Sequence, residues 1–311
     1  MLEKIYEKSL AGEQLSAADI SCIVNANLEH LLSLAEKLKI QFKGEKTDTC
    51  AIINARSGLC SEDCTFCAQS SHFDTGAPVY SFIDLKKIDA AAADLAAKGV
   101  QRFSIVTSGI GPSEEEFAKI KEAMRIIRSH GLLPDASVGC LSYDQIIELK
   151  EAGMTAYHHN LEVSRSFFPS ICTTHDYERD VQTVRDSIRA GLYVCSGGIF
   201  GLGETWVQRA ELAFLLRDLG VQSVPVNFLN PIPGTPVENR EVLSEDEALR
   251  IIAMHRFIMP DRDIRVCGGR SIVFAGNSAK KVVRAGANGI MVGDYLTVKG
   301  VSIEEDMNSI S

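Results

Sequence analysis

One junction recurs along this 311-residue chain: an amphipathic stretch ends in glycine and is followed at once by a short apolar run. It occurs at Gly99 before VQRFSIV, Gly131 before LLPDASV, Gly153 before MTAYHH, Gly191 before LYVCS, Gly220 before VQSVPVN, and around Gly286 in AGANGIMVG. Glycine supplies the left-handed residue that ends a helix, and Val/Ile-rich runs without alternation read as strands buried on both faces. Helix starts carry the matching sign, an oxygen-bearing cap with an acid or amide three residues on: Ser113 with Glu116, Ser142 with Gln145, Ser244 with Glu247. Repeated helix-glycine-strand units specify a parallel sheet. TCAIINA near residue 50 and DIRVC near residue 265, the latter after a helix over Met254 to Pro260, bring the count to eight strands. Eight strands over roughly 250 residues is the complement of a (β/α)8 barrel. An open doubly wound sheet has fewer strands and a glycine-rich phosphate turn after its first one; here cysteines follow instead. Residues 1–45, with Ser16 and Asp19 as a capping box, read as a helical cap under the barrel, and 46–311 as the barrel with a short C-terminal tail. No linker or low-complexity tract divides the chain.

Net charge and patterning narrow the partners. At -9, with no basic stripe, the chain lacks the clustered cations that phosphate backbones require, so no nucleic-acid partner is expected. MLEKIYEKSL has neither a secretory nor a transit pattern, and no apolar run approaches the roughly 20 residues of a membrane span. A cytoplasmic protein without a membrane partner is the expectation. A Ser-His-Asp hydrolase is excluded by the lack of a G-x-S-x-G elbow, and SEEEFAKIKEAMRIIRSH reads as a solvated helix face.

Nine cysteines is the unusual number. In a reducing compartment an odd count fits a disulfide framework badly, so some should be ligands. Cys60, Cys64 and Cys67 form Cys-x3-Cys-x2-Cys in the loop SGLCSEDCTFCAQS directly after strand one. Zinc would need a fourth ligand, usually from a second Cys-x2-Cys pair or a His pair, and none follows. Three thiolates on one loop suit a four-iron cluster with one iron left open. Three unrelated buried thiols are a poor alternative in a polar loop that carries Glu62 and Asp63.

The triplet, with Phe66 just before its last cysteine, resembles the radical S-adenosylmethionine motif. YHHNLEVS, VCSGGIFGLGE, SVPVNFLNPIPGTPVE and IRVCGGR are similar, in order, to signature segments of the biotin synthase family. That resemblance implies a (β/α)8 barrel, usually a homodimer, that inserts sulfur into dethiobiotin. It implies a 4Fe-4S cluster on Cys60, Cys64 and Cys67, whose open iron is chelated by S-adenosylmethionine, and an electron donor such as flavodoxin or ferredoxin. The cleaved nucleotide yields a 5'-deoxyadenosyl radical that takes hydrogen from an unactivated carbon, chemistry beyond any side chain. It further implies Asn160 and Glu162 at the ribose, with Asn160 also reaching the substrate, Ile199, Gly201 and Glu204 in the segment packed on adenine, and Asn227 on the ureido ring. Where the family has an arginine facing the methionyl carboxylate, this chain has Asp180, and the resemblance leaves Arg179, one residue earlier, as the expected cofactor contact. His158 and His159 read as a hydrogen-bonding wall more than as ligands.

The chain departs most from the family at the sulfur donor. The family's 2Fe-2S cluster rests on three cysteines and an arginine, and the matching positions here are Ser104, Asp135, Cys195 and Arg265. Two thiolates are missing. Arg265 and Cys267 share strand parity and face inward together, and Cys50 lies on strand one, which neighbours strand eight in a closed barrel. Cys50, Cys195, Cys267 and Arg265 are therefore the expected ligand set of an auxiliary Fe-S cluster, four-iron rather than two-iron; each thiol read alone is an ordinary core cysteine. By parity Cys140 turns away from the pore, Cys22 and Cys172 read as structural, and Asp135 is either a partner of Arg265 or a polar lumen residue. Beside sulfur insertion stand two further readings: a related radical enzyme doing rearrangement or carbon-carbon chemistry, and a non-catalytic Fe-S redox sensor.

Overall fold

The computed structural model describes residues 1–274, 278–297 and 300–310. Three helices come first: α1 (Leu2–Leu10), α2 (Ala17–Asn25) and α3 (Leu28–Lys43). Then follow β1 (Asp48–Arg56), α4 (Leu85–Ala97), β2 (Arg102–Thr107), α5 (Glu114–Ser129), β3 (Leu133–Ser137), α6 (Tyr143–Glu151), β4 (Ala156–His158), α7 (Tyr177–Arg189), β5 (Tyr193–Cys195) and β6 (Gly198–Phe200). The chain ends with α8 (Trp206–Leu219), β7 (Ser223–Phe228), α9 (Glu245–Ile258), β8 (Asp263–Val266), α10 (Arg270–Val273), α11 (Ser278–Arg284), β9 (Gly289–Met291) and α12 (Ile303–Ile310).

Every strand pairing within the sheet is parallel, and the strands run in the order β5-β4-β3-β2-β1-β9-β8-β7-β6. A direct pairing of Cys195 with Ser223 joins β5 to β7 and closes the ring. The sequence predicts eight strands; the structure has an additional short one, because the fifth stave breaks at Ser196-Gly197 and resumes as β6. Gly197 allows the break: a Cβ there would collide with the carbonyl oxygen of Pro225. The six junction glycines all have positive φ, as the helix-glycine-strand reading requires. The capping boxes at Ser16, Ser113 and Ser142 form, and Thr205 with Gln208 adds one that the sequence reading did not single out. At Ser244 the hydroxyl accepts from the Glu247 N–H. The α9 helix starts at Glu245, as the Ser244 cap predicts, and ends at Ile258, short of Pro260.

Parity sorts the strands into two faces. Phe103, Ile105, Ala136, Val194, Val224, Val226, Ile264 and Ile290 are buried in the apolar core. Facing the lumen are Cys50, Ser137, His158, Cys195, Asn227 and Arg265. Barrel lumens are ordinarily packed with branched aliphatic layers; this one is lined with thiols and charges, which marks it as a site. The α3 helix packs on α9, carrying Leu31, Leu34 and Leu38 into the core. Gly269 has φ +75 just past β8, where a Cβ would overlap the carbonyl oxygen of Phe228. Gly269→Ala is expected to cost about 1–3 kcal/mol through backbone strain, read as a lower urea midpoint; an unchanged midpoint would contradict this account.

Candidate active site

The cysteine loop leaves β1 and is tied down at both ends. The Cys60 N–H donates to the Gln69 carbonyl (3.0 Å) and Ser71 N–H returns to Cys60 (2.8 Å), while Cys67 N–H turns back to Cys64 (2.9 Å). Asp63 accepts from the N–H and hydroxyl of Thr173. Burial opposes its ionisation, but those bonds hold the carboxyl well below the usual carboxylate range. All three thiols line one cavity in the lumen, of about 300 Å³, a size within the range of small-molecule sites. Burial and the neighbouring Cys60 push Cys67 up to about 11. The Cys64 and Cys172 sulfurs lie within 4.8 Å of each other, and this proximity raises Cys64 and lowers Cys172 to about 6. Cys172 is buried in the apolar core at 3% exposure, as expected of a structural thiol, and adjoins the cysteine loop there.

Cys50, Cys195, Cys267 and Arg265 line the same cavity. Cys50 and Cys195 are buried, and so is Arg265, at 3% exposure. The neighbouring Cys267 thiol lowers Cys50 to about 6 against the effect of burial, with Arg265 helping, and Cys267 is raised in turn. Burial raises Cys195 to about 12, although the Ser223 hydroxyl opposes it. Arg265 Nη2 is 3.5 Å from Asp48, while its buried Nη1 has no partner among the described residues. The Ser104 hydroxyl is likewise buried without a partner. Asp135 pairs with Arg102 and not with Arg265: Arg102 donates two 2.8 Å bonds to the carboxylate, and Thr155 Oγ1 adds a third at 3.1 Å. His158 Nε2 stands 3.3 Å from the same group.

A second cavity of about 230 Å³ adjoins the first and shares Cys67, Glu162, Asn227, Cys267 and Tyr295 with it. Asn160 Oδ1 accepts from Gly197 N–H (3.2 Å) and its Nδ2 is 3.5 Å from Glu162. Glu162 has φ +63, and burial, with Asp180 adding to it, pushes its carboxyl up to about 7. Left-handed non-glycine residues of this kind concentrate at functional sites. Asn227 donates to the Gly198 carbonyl (3.1 Å) and accepts from Gly268 N–H (2.9 Å), so part of its amide is committed to the fold. Ile199 lines the second cavity. Glu204 does not line either cavity: its carboxylate accepts from the N–H groups of Gly201 and Leu202 and pairs with Arg209, so it braces the loop. Gly201 sits within that brace, with φ +102. Arg179 is exposed on α7 and lines neither cavity, while Asp180 is turned inward; the sequence expectation that Arg179 contacts a cofactor is corrected by helix phase. Cys140 also differs from expectation. It lies in the turn beyond β3, where strand parity no longer holds, and lines the lumen.

Residues 56–216 match the Radical SAM superfamily and residues 225–311 the Biotin and Thiamin Synthesis associated domain. A biotin synthase from Nitratidesulfovibrio vulgaris is 48% identical, with 98% of this chain and 84% of that protein covered. One from Acetivibrio thermocellus is 48% identical over 91% of this chain and 88% of its own. The chain belongs to the biotin synthase family. Among solved structures it superposes on a methylornithine synthase with TM-score 0.81 at 20% identity, covering 92% of this chain and 85% of the other. A maturase of the FeFe-hydrogenase gives 0.84 at 14%, covering 99% and 73%. At those identities the likeness is one of fold alone. Membership in the radical S-adenosylmethionine superfamily brings a four-iron cluster and S-adenosylmethionine to a biotin synthase-type barrel. No helix among the described residues is long and apolar enough to cross a membrane.

Two lumen residues, and the arginine that pairs with Asp135, were not singled out from sequence. Tyr295 lines both cavities and its hydroxyl is 3.4 Å from Asn227 Oδ1. Its only signal was position, in the loop after the last strand, where barrel sites are built. Arg102 carried none, since a lone arginine opening a strand is ordinarily a surface residue. Met291 lines both cavities from the end of β9.

Proposed function

We propose that the chain inserts sulfur into dethiobiotin to form biotin, with an auxiliary four-iron cluster on Cys50, Cys195 and Cys267 beside Arg265 as the sulfur source. The observation that carries this is the convergence of two sets of three thiols on one lumen cavity, together with a buried guanidinium nitrogen that lacks a partner. Soft thiols suit iron-sulfur groups, and a fixed cation beside them stabilises the negative charge that such groups carry. When bound, the radical-site cluster supplies the electron that cleaves S-adenosylmethionine.

The chain's own residues do the rest. Cys60, Cys64 and Cys67 hold the radical-site cluster at the end of β1. Asn160 and Glu162 bind the ribose, and Ile199 and Gly201 shape the adenine wall. Asn227 orients the ureido ring with the amide capacity left over from Gly198 and Gly268, an amide being suited to a group with both donors and an acceptor. The closed barrel walls exclude water, so a carbon radical meets only the sulfur intended for it. Helices in 1–45 cap the barrel formed by 46–311. A small donor such as flavodoxin or ferredoxin delivers electrons in the cytoplasm, and the chain works as a homodimer.

Anaerobic reconstitution followed by iron and sulfide assay tests the proposal: about eight irons per chain are expected for two four-iron clusters. About four would remove the auxiliary cluster. With dethiobiotin, S-adenosylmethionine and a reductant, biotin is the expected product; 5'-deoxyadenosine without any thioether would point to carbon-carbon or rearrangement chemistry, and neither product to a redox sensor.

A further inference from the structure

Between the cysteine loop and α7 stands a group of ligand-type side chains that sulfur insertion does not use. Cys140 Sγ is 3.9 Å from His159 Nε2 and 3.7 Å from Asp180 Oδ1, and those last two atoms are 3.0 Å apart. We propose that Cys140, His159 and Asp180 form a mononuclear site for a borderline divalent cation, zinc or ferrous iron, with a further coordination position open to the lumen.

The triangle has the right size. Bonds of about 2.3 Å to sulfur and about 2.0–2.1 Å to nitrogen or oxygen give a tetrahedron whose edges are about 3.3 Å between nitrogen and oxygen and about 3.6 Å to sulfur. The observed separations depart from these by a few tenths of an ångström, so a small turn of the imidazole exchanges its hydrogen bond to Asp180 for a metal bond. The mixed sulfur, nitrogen and oxygen donor set selects a borderline cation over calcium or magnesium.

The surroundings hold the ligands in place. Asp180 Oδ2 bonds His175 Nε2 (3.0 Å), and His175 Nδ1 bonds Glu62 (2.8 Å), the outer relay of carboxylate and imidazole typical behind a ligating carboxylate. Cys140 N–H is fixed on Ile110 (2.8 Å) and His159 N–H on Cys195 (3.0 Å), so two ligands hang from anchored backbone. All three side chains line the lumen cavity, which leaves the cation reachable by a small oxygen ligand. On a wall where α7 turns an aspartate inward and its arginine outward, the cation reverses the local charge and offers an anchor for a carboxylate. The site shares no residue with either cluster and stands whether or not the auxiliary cluster is the sulfur source.

The test uses reconstituted enzyme given zinc, desalted against a competing chelator and assayed for metals. About one zinc per chain is expected, and zinc X-ray absorption should show a first shell with one sulfur, the remainder being nitrogen and oxygen. Cys140→Ser and His159→Ala should each weaken retention at least about tenfold with iron content and far-ultraviolet dichroism unchanged. Cys172→Ser, which leaves the triangle intact, should not. In zinc-free buffer the same site should hold ferrous iron, read as a high-spin ferrous signal beyond the clusters that Cys140→Ser removes. No retained zinc, undiminished retention in both variants, or a sulfur-rich shell drawn from the cluster cysteines would overturn the proposal.

Discussion

Cys267→Ala should leave cleavage of S-adenosylmethionine intact while biotin formation falls below detection. Cys267 belongs to the lumen set and not to the loop triplet, so the radical-site cluster and its nucleotide keep all their ligands. What the variant removes is one of three thiols proposed to hold the sulfur source, and with it the neighbouring thiol that lowers Cys50. Iron is expected to drop from about eight to about four per chain. The sensitive comparison is 5'-deoxyadenosine against biotin in a single reaction. Loss of both products would mean that the cavity had collapsed, and retention of both would strike Cys267 from the ligand set. Cys50→Ala should behave in the same way.

The largest effect on stability is expected far from the chemistry, at Arg256. This side chain is completely buried, yet it donates to the carbonyls of Gly286 (2.8 Å), Pro260 (2.9 Å) and Arg262 (2.7 Å) and to Asn288 Oδ1 (2.7 Å). Burial drags its guanidinium down to about 10 despite support from Asp263. Asn288 in turn holds Asp263 (2.8 Å) and the Ile264 N–H (2.9 Å), so Arg256 fixes the register where β8 begins. Arg256→Ala leaves several buried acceptors unpaired at once, at a cost of about 3–5 kcal/mol. For a chain of this size that lowers Tm by about 10 °C. Arg256→Lys should recover little of it, because a single ammonium cannot reach acceptors spread around a planar fork. A Tm within about 2 °C of the parent in calorimetry would show that the carbonyls find other donors.

Local chemistry made much of the fold legible. Glycine after an amphipathic stretch and an oxygen-bearing cap before one are signals of the backbone itself, so they survive in any tertiary setting, and the staves and most helices follow from them. The break in the fifth stave was not legible, because it depends on how closely Pro225 approaches Gly197 from the neighbouring strand. Within the site, the resemblance placed Cys195 and Arg265 in the lumen, and parity with Arg265 turned Cys267 inward with it, since side chains alternate wherever a strand is regular. Parity failed at Cys140, which lies beyond the end of β3 where alternation has lapsed. Asp135 found Arg102 because adjacent strands set the two diagonally, within reach of a long guanidinium. Nothing in the one-dimensional order distinguishes that partner from Arg265.

From its residues alone, then, this chain determined that it forms a parallel barrel and that three thiols gather on the loop after the first strand, because both depend on neighbours in sequence. Only the closed ring decided further partners around the lumen: that Asp135 pairs with Arg102, that Asp180 and not Arg179 faces inward, and that Cys140 joins His159. Those contacts arise from helix phase, strand register and the angle at which the sheet closes, quantities that belong to the assembled ring and to no single segment.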